Sequence, residues 1–139
     1  MRLIGINSPE PRAYFSREKE PFGKAASAHM IELIGTSQVQ LDFDVDSLDR
    51  YRRALAYVFF PDRTFINMKM VIDGFAQVAT YPPNVKYVDR FVKVEQRARE
   101  KNRGLWAGDD AECHFHRYLD HLLQKERIFR KFGFNQNLR

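Results

Sequence analysis

The chain has 139 residues, 44% of them hydrophobic and 29% charged, with a formal net charge of +5. That length holds one domain with a real core and room for an appendage, and the composition excludes a disordered chain. The basic balance favours polyanions such as nucleic acid or an anionic membrane, the single cysteine (Cys113) excludes an internal disulfide, and no apolar run is long enough to span a membrane.

In chain order, residues 2–6 read as a short strand, broken by Asn7, Ser8 and Pro9. The first apolar stretch is interrupted by Gly5 and Asn7, so no signal peptide is read there. Residues 9–23 carry three prolines and mixed charge and read as a loop. "FGKAASAHMIELIG" (22–35) is rich in helix formers, with Gly35 as its stop. "QVQLDFDVD" (38–46) alternates strictly: Val39, Leu41, Phe43 and Val45 on one face, Gln38, Gln40, Asp42 and Asp44 on the other. That pattern predicts a half-buried strand. "ALAYVFF" (54–60) is a second strand, turning through 61–63 into a brief strand at 64–66. A short helix follows over 67–74, with Asn67 as its cap and Gly74 after its end. Residues 75–81 return as a strand. Asn84 caps a helix over about 85–102, and Gly104 and Trp106 close the domain. Short strands with interspersed helices predict a small barrel or α+β fold.

Three residues in this map suit phosphodiester chemistry. Arg2 and Glu10 flank the first turn, and Arg53 lies in "DRYRRALAY" (49–57) where a strand begins. Guanidinium groups match phosphate oxygens with paired hydrogen bonds and offset the charge that grows as water attacks phosphorus. A carboxylate can take the attacking water's proton. Taken singly, each residue is ordinary: a lone Glu after Pro is more often a solvated turn residue.

The blocks "RLIGINSPE", "FGKAASAHMIELI", "VQLDFDVDSLDRYRRALAYVF", "TFINMKMVIDGFAQV" and "TYPPNVKYVDRFVKVEQRAREKNRGLW" resemble, in order and spacing, the staphylococcal nuclease (thermonuclease-like) domain. The resemblance covers about residues 2–107. It implies an OB-fold, a mainly-β barrel in the α+β class with three helices. It implies a calcium-dependent endonuclease that hydrolyses DNA and RNA and leaves 3′-phosphate ends. It places Arg2, Glu10 and Arg53 on the catalytic arginine, glutamate and second arginine. Asn7 and Ser8 fall on the calcium-binding pair, and Tyr51 and Tyr81 on nucleotide contacts.

Two departures from the family touch the metal. Asn7 stands where the family usually has aspartate, and a neutral carbonyl should bind calcium more weakly. The family also has two strands, and another metal-binding aspartate, before this point. An incomplete, N-terminally truncated barrel is therefore expected, with open edges and under-covered apolar faces at Leu41, Phe43, Val58 and Phe60. Such a chain would be marginal, prone to self-association and weakly active. A misplaced start codon would account for the missing strands; the alternative is a natural remnant that lost its front half-sheet.

Residues 108–139 form a second region, a C-terminal extension. Phe115, Tyr118, Leu119, Leu122, Phe129 and Phe132 approximate one apolar helical face, with Arg117, Lys125, Arg127, Arg130 and Lys131 on the other. A helix docked on the domain is the plainer reading; a basic arm for nucleic acid or a partner-binding helix are the others. Cys113, His114, His116 and His121 match no standard zinc spacing. Tyr14, Phe15 and Tyr87 can stack on bases or simply pack. The leading function is thus a metal-dependent endonuclease acting on DNA and RNA, with no membrane and no obligate protein partner. The alternative is a non-catalytic OB-fold that binds single strands, and the third a protein-interaction module.

Overall fold

The computed structural model describes residues 1–8 and 21–107, together with positions 120 and 124. In chain order the elements are β1 (Arg2–Leu3), β2 (Ile6–Asn7), α1 (Pro21–Ile34), β3 (Gln40–Asp42), β4 (Leu55–Phe59), α2 (Ile66–Ile72), β5 (Gln77–Val78) and α3 (Val88–Glu100), closed by a 3₁₀ turn at Gly104–Trp106. This is the expected α+β class. One sheet has the order β1-β4-β3, with β1 parallel and β3 antiparallel to β4; a second pairs β2 with β5 antiparallel. Among the described residues these two small sheets leave an incomplete barrel.

The single strand expected over 2–6 is two strands in two sheets. Gly5 turns the chain at φ +81, and the Phe91 ring packs against it so closely that an added Cβ would lie 2.4 Å away. Ile4 and Ile6 enter the core beside Tyr57, Phe65, Met70 and Phe91. Tyr57 stands edge-on to Phe65 and Tyr87, which adds to the area that the rings bury. The Tyr57 hydroxyl donates to Asp44, which also accepts the backbone N–H groups of Val45 and Lys86. Burial, then this bond to a carboxylate, pushes the Tyr57 phenol well above its ordinary range.

Asn67 does not cap α2 as its sequence suggests. Phe65 takes the cap position with no side-chain bond, and the helix begins at Ile66, so residues 64–66 keep only one bridge, Phe59 to Phe65. Asn67 is instead fully buried. Its Oδ1 accepts the Val58 N–H at 2.9 Å, and its Nδ2 donates to the Ile4 carbonyl at 2.9 Å. One amide thereby ties β4, α2 and the turn after β1.

Asn84 is likewise no cap. The third helix starts at Val88 after Tyr87, and Asn84 is buried, exchanging two bonds with the backbone of Asp46. The strand expected over 75–81 shrinks to β5, because only Gln77 and Val78 pair with β2, while Tyr81 keeps an isolated bridge to Asn84.

The alternating stretch 38–46 pairs only over β3. Leu41, Phe43 and Val45 remain 43%, 48% and 72% exposed, since β3 is the last strand of its sheet. The expected under-covering holds at Leu41 and Phe43 but not at Val58, which is fully buried; Phe60 is half-buried. Leu105 donates its N–H to the Gly74 carbonyl at 2.8 Å. At that crossing the backbones of Gly74 (φ +78) and Gly104 (φ +50) meet. A Cβ on Gly74 would fall 2.3 Å from the Arg103 carbonyl oxygen, and one on Gly104 2.4 Å from that of Gly74. Trp106 anchors the end, with the Arg99 guanidinium 4.1 Å over its ring. Apart from positions 120 and 124, the C-terminal extension lies outside the described residues, with its apolar face, Cys113 and the neighbouring histidines, as do Tyr14 and Phe15.

Candidate active site

The parallel ladder of β1 on β4 sets the position of Arg2. Arg2 pairs with Leu55, and its N–H donates to the Ala54 carbonyl at 2.7 Å. Arg53 enters the same strand two residues before Leu55, so a rigid element brings the front of the chain beside its middle.

A tight turn delivers Arg53. Asp49 organises it: its Oδ1 accepts the N–H groups of Tyr51 at 2.8 Å and Arg53 at 2.9 Å, and its Oδ2 accepts Arg53 Nε at 2.6 Å. An aspartate that bonds the backbone two residues on is a recurrent turn device. Arg52 closes the turn in the left-handed region, at φ +61.

Partial burial pushes the Asp49 carboxyl up, but the bonds from Arg53 and Tyr51 outweigh it and hold it below the ordinary 3.8. A depressed carboxyl supports its structure above the unfolded value and releases it as pH falls through the folded one. The support that Asp49 gives the turn should therefore be fully present at neutral pH. It should fall below pH 3.8 as the turn loses its anchor. Asp49→Asn, which keeps an acceptor without the charge, should flatten that acid limb. Thermal unfolding across the acid range checks both.

Two tyrosines flank the arginines. The Arg2 guanidinium lies 5.4 Å from the Tyr81 ring centre, and that of Arg53 5.3 Å from Tyr51. Both tyrosines are more than half exposed. Arg2, Asp49, Arg50, Tyr51, Arg53 and Tyr81 line one cleft of about 450 Å³. The structure thus gathers four of the residues named from sequence. It adds Arg50, 4.8 Å from the Tyr51 ring, and Asp49. Neither was singled out. The signal for Asp49 was its spacing of two and four residues from Tyr51 and Arg53.

Asn7 and Ser8 stand apart from this lining, at and just past the end of β2. Glu10 lies outside the described residues. Among the described residues no group of three His, Cys, Asp or Glu side chains could hold a metal. Calcium takes six to eight oxygens, with carboxylates prominent. Asn7 and Ser8 bring only neutral ones, so the described residues do not by themselves make a calcium site.

A family model described as "Staphylococcal nuclease homologue" matches residues 1–108. The chain is 35% identical over 106 residues to a thermonuclease of Staphylococcus intermedius, covering 76% of this chain and 62% of the relative. It is 36% identical over 109 residues to the SPbeta prophage-derived endonuclease YokF of Bacillus subtilis, covering 77% and 36%. Endonuclease YncB of the same organism is 34% identical over 109 residues, covering 77% and 51%. The chain therefore spans less than two thirds of the length of each of these relatives.

Proposed function

The chain belongs to the staphylococcal nuclease homologue family, and on that premise we propose that it is an endonuclease hydrolysing phosphodiester bonds of DNA and RNA. The observation that supports this reading is the convergence of Arg2 and Arg53 on one cleft between two exposed tyrosines. In this reading the two guanidiniums grip the scissile phosphate and stabilise the extra negative charge as water adds to phosphorus. Glu10 takes the proton from that water. The P–O5′ bond breaks, the 5′-oxygen leaves and takes up a proton from solvent to become a hydroxyl, and the phosphate stays on the 3′ end of the upstream fragment. Tyr51 and Tyr81 hold the flanking nucleotide by stacking.

Calcium dependence belongs to the same proposal and rests on the family alone. The neutral donors Asn7 and Ser8 favour weak calcium binding, and they are also what favours the second reading, a binder of single strands without chemistry. The test is incubation of single-stranded DNA with the full chain, with calcium and then with chelator. The expected outcome is cleavage with metal, none with chelator, and none by Glu10→Gln. Retention of the DNA without any cutting sinks the hydrolase reading in favour of the binder.

A further inference from the structure

A second groove of about 440 Å³ lies at the far end of β4 from the arginine cleft. The cleft is lined by Arg53 and Leu55 at the start of that strand, the groove by Phe59 and Arg63 at and after its end. A five-residue strand is about 17 Å long. Phe65, stacked on Phe59 with ring centres 4.4 Å apart, forms the floor, and Arg90 from α3 forms a wall beside Tyr87.

The charge in this groove is one-sided. Its carboxylate, Asp42, is already engaged by Lys86 Nζ at 2.7 Å and by the Tyr87 hydroxyl at 3.1 Å. Arg63 and Arg90 are both exposed, and neither has a carboxylate partner among the described residues. Arg63 also holds a left-handed backbone, at φ +67, in a turn closed by its N–H to the Phe60 carbonyl. A side chain is disfavoured in that conformation, and glycine would make the turn at less cost. Turn geometry therefore does not account for an arginine there. Two unneutralised guanidiniums over an aromatic floor suit a phosphate linked to a planar base.

We propose that this groove binds a second segment of the same nucleic-acid strand, its phosphate held between Arg63 and Arg90, so that substrate length is read at a distance from the cutting cleft. The inference rests on the nucleic-acid reading above. It fits the four or more nucleotides that one fold of this class usually engages, roughly 4–16.

The experiment measures binding of a single-stranded oligonucleotide of about 16 nucleotides by anisotropy over a range of salt, and cleavage of a dinucleotide, for the full chain and two variants. Arg63→Gly relieves the backbone and so folds at least as well; Arg90→Gln is independent of it. Each should bind the oligonucleotide about tenfold more weakly. Each should lower the slope of log affinity against log salt by about 0.7, the value of one single-strand phosphate contact. Each should cleave the dinucleotide like the parent, and Arg90→Lys should recover most of the binding. Unchanged oligonucleotide binding overturns the groove. Equal loss on both substrates overturns it too, because it would mark a disturbed cleft. A parent chain that binds the oligonucleotide without cutting, with both variants weakened, sinks the hydrolase reading and upholds the groove.

Discussion

In the proposed hydrolysis, Arg53→Gln should lower the turnover of single-stranded DNA about 10²–10³-fold, the usual cost of removing one group that stabilises transition-state charge. Its effect on folding should be small. The Arg53 side chain is 46% exposed, and surface ion pairs such as its bond to Asp49 contribute little. The backbone N–H of Arg53, which Asp49 also holds, survives the change. Arg2→Gln should cost a similar factor, and the double variant less than the product, since in the proposed reaction both groups serve one phosphate. Single-turnover cleavage beside thermal unfolding separates chemistry from stability. Turnover within a few-fold of the parent, with the fold intact, would remove Arg53 from the reaction.

Asn67→Ala should be the most damaging change to the fold. The substitution leaves the Val58 N–H and the Ile4 carbonyl without that amide, in a core from which water is excluded. Each stranded group costs about 1–3 kcal/mol, so the loss should be about 2–6 kcal/mol. A domain is stable by about 5–15 kcal/mol in all, so the variant should sit near its unfolding threshold. Urea titration followed by tryptophan fluorescence, which Trp106 supplies, measures it. A loss under about 1 kcal/mol would show that the two backbone groups find other partners.

These two residues mark what was legible in the sequence and what was not. Arg2 and Arg53 stand fifty-one positions apart, and spacing alone does not bring them together; the ordered blocks of the family did. Local chemistry fixed β4, whose apolar run has turn residues on either side, and placed α1 and α3 to within a few residues. It failed at Asn67 and Asn84, for one reason in both. An asparagine before a helical run suits a cap, but its amide can equally bond backbone far away in the chain. Here the distant partners are Ile4 and Asp46. It also overextended 38–46, because alternation reports which way side chains face and not whether a neighbour covers them. The remaining acidic member of the proposed site, Glu10, stays an expectation of the family pattern.

Where Gly74 meets Gly104, the obstruction facing any added side chain is main chain, and each member of the pair is already as small as a residue can be. No trimming elsewhere can make room. This crossing is therefore a point at which drift must halt: neither position can be traded against the other, and the segment that ends in Trp106 stays fastened to the loop after α2 for as long as both remain unsubstituted.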